Sequence, residues 1–417
     1  AGTGTAADVT VLDTILVSGE KISRSLQETA SSVEIITGED LATRPDEENV
    51  QSAIQDVPNV YYPGTAGVAP IIRGQDTQGP NTGAVAFYSG TVPRASINID
   101  GHYQTYFETV FGATSIWDVD QIEVFRGPQT TSQGANSIAG AIIVKTKDPT
   151  FTPEGALQAE YGSYNTHRVS GMLSGPLSSQ LAARVALDYY GRDTFIDYIN
   201  SSFTDDETNL DIMSFNGRAK LLYTPDAIPG LTAKFTYATA QNNQPTYEAA
   251  TVQPYDRLEN SQANVPSFYS RSHTGIADLS YEFENGIVVS NVTQYTDLEV
   301  KRSVETVGNG DATIDQQNWS NETLVNFGTQ DSTFSGVAGL YAAHTQSDET
   351  LLLPFNGSPD FEDSKTNLGV FTEIDYRISD AWTLTGGLRF ESDRIKRTGL
   401  SSTVAPRPVD FDYDETF

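Results

Sequence analysis

From about residue 156 to residue 391 the chain alternates apolar and polar side chains with a period of two, in segments joined by connections that are short and long in turn. Leu181, Ala183, Val185, Leu187 and Tyr189 interleave with Arg184 and Asp188; Leu231, Ala233, Phe235 and Tyr237 with Lys234 and Thr236. Leu368, Val370, Ile374 and Tyr376 interleave with Glu373 and Asp375; Trp382, Leu384, Leu388 and Phe390 with Thr385 and Arg389. A period of two is that of a strand with unlike faces. About eleven segments read this way, most of them near the ~9–11 residues that a tilted strand needs to cross the hydrocarbon layer. Short turns near 178–180, 225–230, 284–286, 330–332 and 379–381 take turns with polar stretches at 191–210, 240–268, 299–314 and 346–363. A soluble sandwich alternates along its strands too, but only an up-and-down barrel across an outer membrane requires short turns at one end and long loops at the other.

The rest of the composition agrees. No apolar run is long enough for a transmembrane helix, so membrane residence has to come from a closed barrel, whose alternating strands leave little trace in average hydropathy. Cysteine is absent, which removes disulfide scaffolds, thiolate metal sites and cysteine nucleophiles together. His102, His167, His273 and His344 never cluster, so no dedicated metal site is expected. A net charge of −30 sets the chain against nonspecific nucleic-acid binding. At 417 residues more than one structural unit is expected, and the first residues carry neither a basic region nor a long apolar one, as in a mature chain after signal removal.

Residues 21–150 read as a small mixed α/β domain. Val33 to Thr37 is a strand; Thr37 or Gly38 opens a short helix with Glu39 and Asp40 in its first turn, and 46–55 reads as a second helix before Pro58. Ile71 and Ile72 form a strand before a turn at Arg73 and Gly74. The stretch RGPQTTSQGANSIAGAIIVKTKDP at 126–149 joins two strand-like runs, 121–125 and 141–144, through a glycine-punctuated connection. A phosphate cradle would need those glycines to lead into a helix followed by Lys-Ser/Thr; here they lead into a β-branched run.

The succession VPNV, IRGQ, IDG, DxxxIEVFRGP and GAIIVKT resembles the plug sequence of TonB-dependent outer-membrane receptors, closest to the siderophore-receptor type. The resemblance implies a membrane all-β fold: an antiparallel up-and-down transmembrane β-barrel of 22 strands, with the plug inside its lumen. Residues 151–417 would then be the N-terminal half of that barrel, 21–150 the plug, and 1–20 a flexible N-terminus. Pro406 and Pro408 leave too short a run for a further strand near Phe417. Within the N-terminus Asp13, Thr14, Ile15, Leu16, Val17 and Ser18 resemble a TonB box, which would add as a strand to a partner's sheet. By the same resemblance Arg73 and Arg126 would lock the plug to carboxylates of the barrel wall, two parallel hydrogen bonds at a time.

Plug segments expected to face outward carry Tyr88, Arg94, His102, Tyr103, Tyr106 and Phe107, with Tyr61 and Tyr62 nearby, a set suited to a polar, partly aromatic ligand. The implied function is not enzymatic. It is active uptake of a scarce ligand, foremost a ferric siderophore, across the bacterial outer membrane, with a periplasmic N-terminus. TonB, with ExbB and ExbD in the inner membrane, would rearrange the plug using proton-motive force, while outer-membrane lipid and lipopolysaccharide surround the barrel. No covalently bound cofactor is expected; the iron-siderophore complex is cargo. Haem, cobalamin and oligosaccharides stay open as ligands. A passive porin is disfavoured by residues 21–149, and a secreted β-rich carbohydrate-binding protein would need to be soluble without detergent.

Overall fold

The computed structural model describes residues 16–416, apart from residue 23 and segments 45–46, 63–68, 77–93, 135–136, 306–309, 330–331, 354–356 and 402–405. Residues 154–416 form one twelve-stranded antiparallel sheet in which every strand pairs with its neighbours in sequence. Its strands are β1 Glu154–Tyr161, β2 His167–Pro176, β3 Leu181–Arg192, β4 Ile212–Tyr223, β5 Leu231–Pro245 and β6 Ser267–Glu282. They continue as β7 Val288–Ser303, β8 Ala312–Phe327, β9 Phe334–Leu351, β10 Asp360–Ser379, β11 Trp382–Leu400 and β12 Pro408–Thr416. Among the described residues β1 and β12 are unpaired edges, so the barrel is not closed by this chain. β12 corrects the expectation that the prolines leave too short a strand: Pro408 is its first residue, where a missing N–H is tolerated, and it opens nine register pairs with β11.

The alternation runs inside out relative to a soluble protein. In β3 Leu187 is 49% exposed on the outer face, whereas Arg184 and Asp188 are buried on the inner one. Leu384, Leu388 and Phe390 of β11 are likewise exposed, with Arg389 and Glu391 turned inward. Apolar outside and polar inside is stable where the outer medium is lipid and the inner face is covered by protein or water. No helix among the described residues is long and apolar enough to cross a membrane, which says nothing of strands.

The inner face is covered by the plug. Its central sheet runs Val33–Thr37, Val119–Phe125, Gly140–Thr146, Ala95–Ile99, His102–Tyr103 in spatial order, all antiparallel except the pairing of Gly140–Thr146 with Ala95–Ile99. The two strands expected to flank the glycine connection are therefore neighbours. Among the described residues four α-helices pack around the sheet: α1 Gly38–Ala42, α2 Val50–Ala53, α3 Tyr106–Phe111 and α4 Thr130–Gln133. α1 begins where Thr37 and Asp40 exchange capping bonds. α2 starts later than 46, because Asn49 accepts from the amide of Ser52 and caps it there. At α3 the structure departs from the sequence expectation: Thr105 and Glu108 form a capping box that turns the expected outward loop into a buried helix. Ile54, Ile72, Ile122, Val124, Ile142 and Val144 are fully buried at the centre of the plug core.

Candidate functional site

Two sides of the plug meet the wall with opposite charge. On the β3–β5 side the plug brings carboxylates. Arg184 of β3 grips Asp118 through two nitrogens at 2.8 and 2.5 Å, with side-chain exposures of 2% and 3%. Lys220 of β4 lies 3.1 Å from both Asp100 and Asp148, and Lys234 of β5 lies 3.3 Å from Asp148. Burial opposes the charge on Asp148, yet Lys220 and Lys234 hold its carboxyl below the usual carboxylate range. Tyr190 donates to Glu48 at 2.6 Å.

On the β8–β10 side the plug brings cations. Lys21 meets Glu322 at 2.7 Å, and Arg24 meets Glu373 at 2.9 Å and Asp375 at 2.7 Å. Burial alone would depress the Lys21 ammonium, but Glu322 and Tyr103 hold it above its ordinary value. Both cations belong to a strap, residues 16–25, in which Leu16–Val17 pairs antiparallel with Arg24–Ser25. Val17 is buried against Phe125, Ala141 and Ile143. The amides of Ser18 and Gly19 donate to the fully buried Glu123 at 3.1 and 2.8 Å. Residues 16–20 are thus docked, which corrects the expectation of a flexible N-terminus through residue 20. Of the six residues resembling a TonB box, Leu16, Val17 and Ser18 lie in this strap, and Asp13, Thr14 and Ile15 fall outside the described residues.

Above the strap, at the end of the long loops, a cavity of about 490 Å³ opens between α3, Tyr103 and the inner face of β8–β12. Below it, at the short-turn end, a second cavity of about 710 Å³ is lined by Ser18, Gly19, Lys21, Asp100, Asp148 and the lower parts of β3–β8. One layer divides them. Tyr103 stands edge-on to Tyr341 at 5.5 Å, Lys21 Nζ lies 5.1 Å from the centre of the Tyr103 ring, and Gln133, which faces both cavities, donates to the carbonyl of Gly19. Arg389 completes the layer, stacked on Phe371 at 5.1 Å and bonded to Glu391 at 2.8 Å. Its guanidinium lies 2.5 Å from where a Cβ on Gly134 would stand, and Gly134 has φ +78°. No other residue fits there without moving Arg389.

The cavity gathers three of the expected ligand residues, Tyr103, Tyr106 and Phe107. They are less exposed than expected: Tyr106 and Phe107 are buried in an aromatic cluster with Phe111 and Phe268, because α3 packs its apolar face on the wall. His102 is not on an outward apex. It is buried, with Nε2 2.8 Å from Glu108, and faces a separate void of about 90 Å³ toward β3–β6. Tyr61 is 62% exposed and Tyr62 is pushed up to about 12 by burial, with Glu48 nearby; neither lines the outer cavity, nor does the exposed Arg94. Tyr88 falls outside the described residues. Arg73 and Arg126 meet no wall carboxylate among the described residues. Arg126 reaches Glu34 at 3.6 Å and the carbonyl of Pro58 at 3.3 Å, and Arg73 projects beside Gly127, all of them contacts with plug residues.

The wall side of the cavity, including Gln316, Asn318, Tyr341, Lys365, Arg389 and Arg397, was not singled out from sequence. Strand parity marks these residues as inward, but which inward residues face a void depends on where the plug stops. Among the described residues no three His, Asp or Glu converge as a metal-ion set.

Residues 25–141 match the model of the TonB-dependent receptor plug domain, and residues 223–416 that of the TonB dependent receptor-like β-barrel. The pesticin receptor of Yersinia pestis is 25% identical over 324 residues, 72% of this chain and 45% of that protein. An iron-regulated outer membrane virulence protein of Vibrio cholerae serotype O1 is 24% identical over 422 residues, 96% of this chain and 58% of that protein. The chain thus spans about half the length of the curated relatives it matches. The crystal structure of the ferric yersiniabactin uptake receptor from Yersinia pestis superposes with a TM-score of 0.79 at 17% identity, covering 96% of this chain and 63% of that one. The siderophore receptor PiuA from Acinetobacter baumannii gives 0.71 at 15%, covering 94% and 62%. These likenesses establish the fold.

Proposed function

Because the chain belongs to the TonB-dependent receptor family, we propose that it is the plug and first barrel half of a transporter that takes up a scarce ligand, foremost a ferric siderophore, across the bacterial outer membrane. The remaining strands of a 22-stranded barrel would close the sheet against β1 and β12, since open edges in lipid are prohibitively costly. The outward apolar rows of the wall, with Tyr295 and Trp319 among them, would face lipid and lipopolysaccharide. The long loops would be external and the strap periplasmic. The ligand class draws on the siderophore and iron-regulated receptors among the relatives. Haem is disfavoured because His102 is turned away from the outer cavity and paired with Glu108.

The observation that carries this reading is the layer between the two cavities, part of which is the strap itself. TonB, energised with ExbB and ExbD by proton-motive force, would pair with the extended peptide around Asp13 to Ser18 and draw the strap away. Lys21 and Gly19 would leave the layer, and the cavities would join along the β8–β10 wall. The outer cavity holds the ligand and the lower one receives it. The chain's own part is binding, sealing and release; no catalysis is required.

The test is the substitution Ile15→Pro in the full-length receptor, which removes an amide donor from a peptide that must pair through its backbone. Energised uptake of radiolabelled iron is expected to vanish while ligand binding at the cell surface stays intact. Unchanged uptake would reject the assignment of that peptide.

A further inference from the structure

Resting on the reading of the strap as the removable seal, we propose that Glu123 is the latch of that seal. It is a positioning residue: its carboxylate holds the turn at Ser18 and Gly19 and so decides how firmly the strap stays seated. Glu123 stands on Val119–Phe125 with Ile143 and Ile35 as its register partners in the two flanking strands. The three share the apolar face on which Val17 packs against Phe125, Ala141 and Ile143. A carboxylate set in such a face is costly unless donors converge on it, and Glu123 has no exposed surface.

The strap supplies most of those donors. The Ser18 amide lies 3.1 Å from each carboxylate oxygen, the Ser18 hydroxyl 3.0 Å from one, and the Gly19 amide 2.8 Å from the other. The plug itself adds Gln121 at 2.7 Å and Lys145 at 3.4 Å. Hydrogen bonds to an ionised acceptor are roughly twice as strong as neutral ones, so the two consecutive amides are the firmest hold that the plug has on the strap. Other backbone groups of the turn are held too: Gln121 donates to the carbonyl of Leu16 at 2.9 Å, Gln133 to that of Gly19, and the Lys21 amide to that of Ser18 at 2.9 Å.

Plug and wall therefore grip the strap differently. The wall takes the side chains of Lys21 and Arg24, whereas the plug takes the backbone. Only Gly19 is prescribed by space: a Cβ there would stand 2.4 Å from the ring of Phe125 and 2.9 Å from Ile143, both buried. Without a Cβ the chain comes close enough for its amide to reach Glu123. Glu123→Gln keeps the size of the side chain but replaces one acceptor oxygen by an NH2 group, which faces amides that can only donate. The opposite face of the same strand, with Ile122 and Val124 in the plug core, is left as it was.

The experiment follows hydrogen exchange in the full-length receptor in detergent and the leakage of a small solute through it in liposomes. Glu123→Gln is expected to speed exchange across residues 16–25 at least about tenfold, to leave the strand at 140–146 unchanged, and to raise the leak. Gly19→Ala alters no residue of the plug sheet; it is expected to give the same signature, and it carries the test if the glutamine variant does not fold. Unchanged exchange across the strap overturns the latch. Faster exchange at 16–25 and 140–146 together overturns it as well, since Glu123 would then serve the general stability of the plug. Faster exchange of the strap alone with no added leak upholds the latch and overturns the reading of the strap as the seal.

Discussion

The two sides of the plug are fastened by the same kind of bond and differ in what carries it. Toward β3–β5 the plug's partners are Asp118, Asp100 and Asp148, which stand at the ends of strands of its central sheet or just beyond them. Toward β8–β10 they are Lys21 and Arg24, both on a short hairpin outside that sheet. The first side can be loosened only by disturbing the plug core. The second can be undone by withdrawing about ten residues, and it is the side on which the two large cavities approach each other. On the proposed reading a fixed anchor and a removable seal are built from similar ion pairs on chain segments of different cohesion.

The largest effect is expected at the anchor. Arg184→Ala leaves Asp118 buried without its bidentate partner, a loss on the order of 3–5 kcal/mol, read as a lower midpoint for plug unfolding in urea. An unchanged midpoint would show that the β3 side is no anchor. Next comes Lys21→Met, which keeps the stem but removes the charge between Glu322 and Tyr103. It is expected to lower the midpoint by less, about 1–3 kcal/mol, while raising the leakage of small solutes through the receptor in liposomes. Leakage from the Arg184 variant alone would invert the comparison.

pH separates the sides further. Asp148 is held below its ordinary 3.8, so its contribution is complete above that value and is lost as pH falls through the depressed one. Lys21 is held above its ordinary 10.5, so its contribution is complete below that value and is lost only as pH rises through the raised one. Acid is therefore expected to loosen the β4–β5 contact and alkali the strap, followed by hydrogen exchange of the two segments at each extreme. The smallest effect is Thr105→Ala at the cap of α3, about 1 kcal/mol. It would loosen the seat of Tyr106 and Phe107 and weaken ligand binding without affecting the leak.

What could be read from the chain before the structure follows the range of the forces. Strand period, inward parity and the short-long rhythm of the wall are local, and so is the Thr37 start of α1. The plug strands at 121–125 and 141–144 were legible for the same reason. The partners were not: Arg184 finds Asp118 across 66 residues and Ser18 finds Glu123 across 105, distances at which no pattern in one sequence is informative. The resemblance implies a lock at Arg73 and Arg126; their contacts among the described residues are with the plug, and the part of the wall this chain supplies is held by charges of both signs at other positions. His102 and Phe107 face inward rather than forming an outward apex because Thr105 and Glu108 cap a helix there, a signature already present in the sequence. Pro406 and Pro408 shorten the last run less than the sequence suggests, because Pro408 itself opens the strand.

The claim that the strap is a separate, weaker unit than the rest of the plug can be tested by pulling the N-terminus of the membrane-embedded receptor with a single-molecule force probe. The account predicts a first low-force event that frees residues 16–25, a gain of roughly 35 Å at ~3.3–3.6 Å per residue, followed by a distinctly stronger event when the sheet and its Asp118 anchor yield. A single first rupture several times that length, carrying the central sheet out together with the strap, would contradict it.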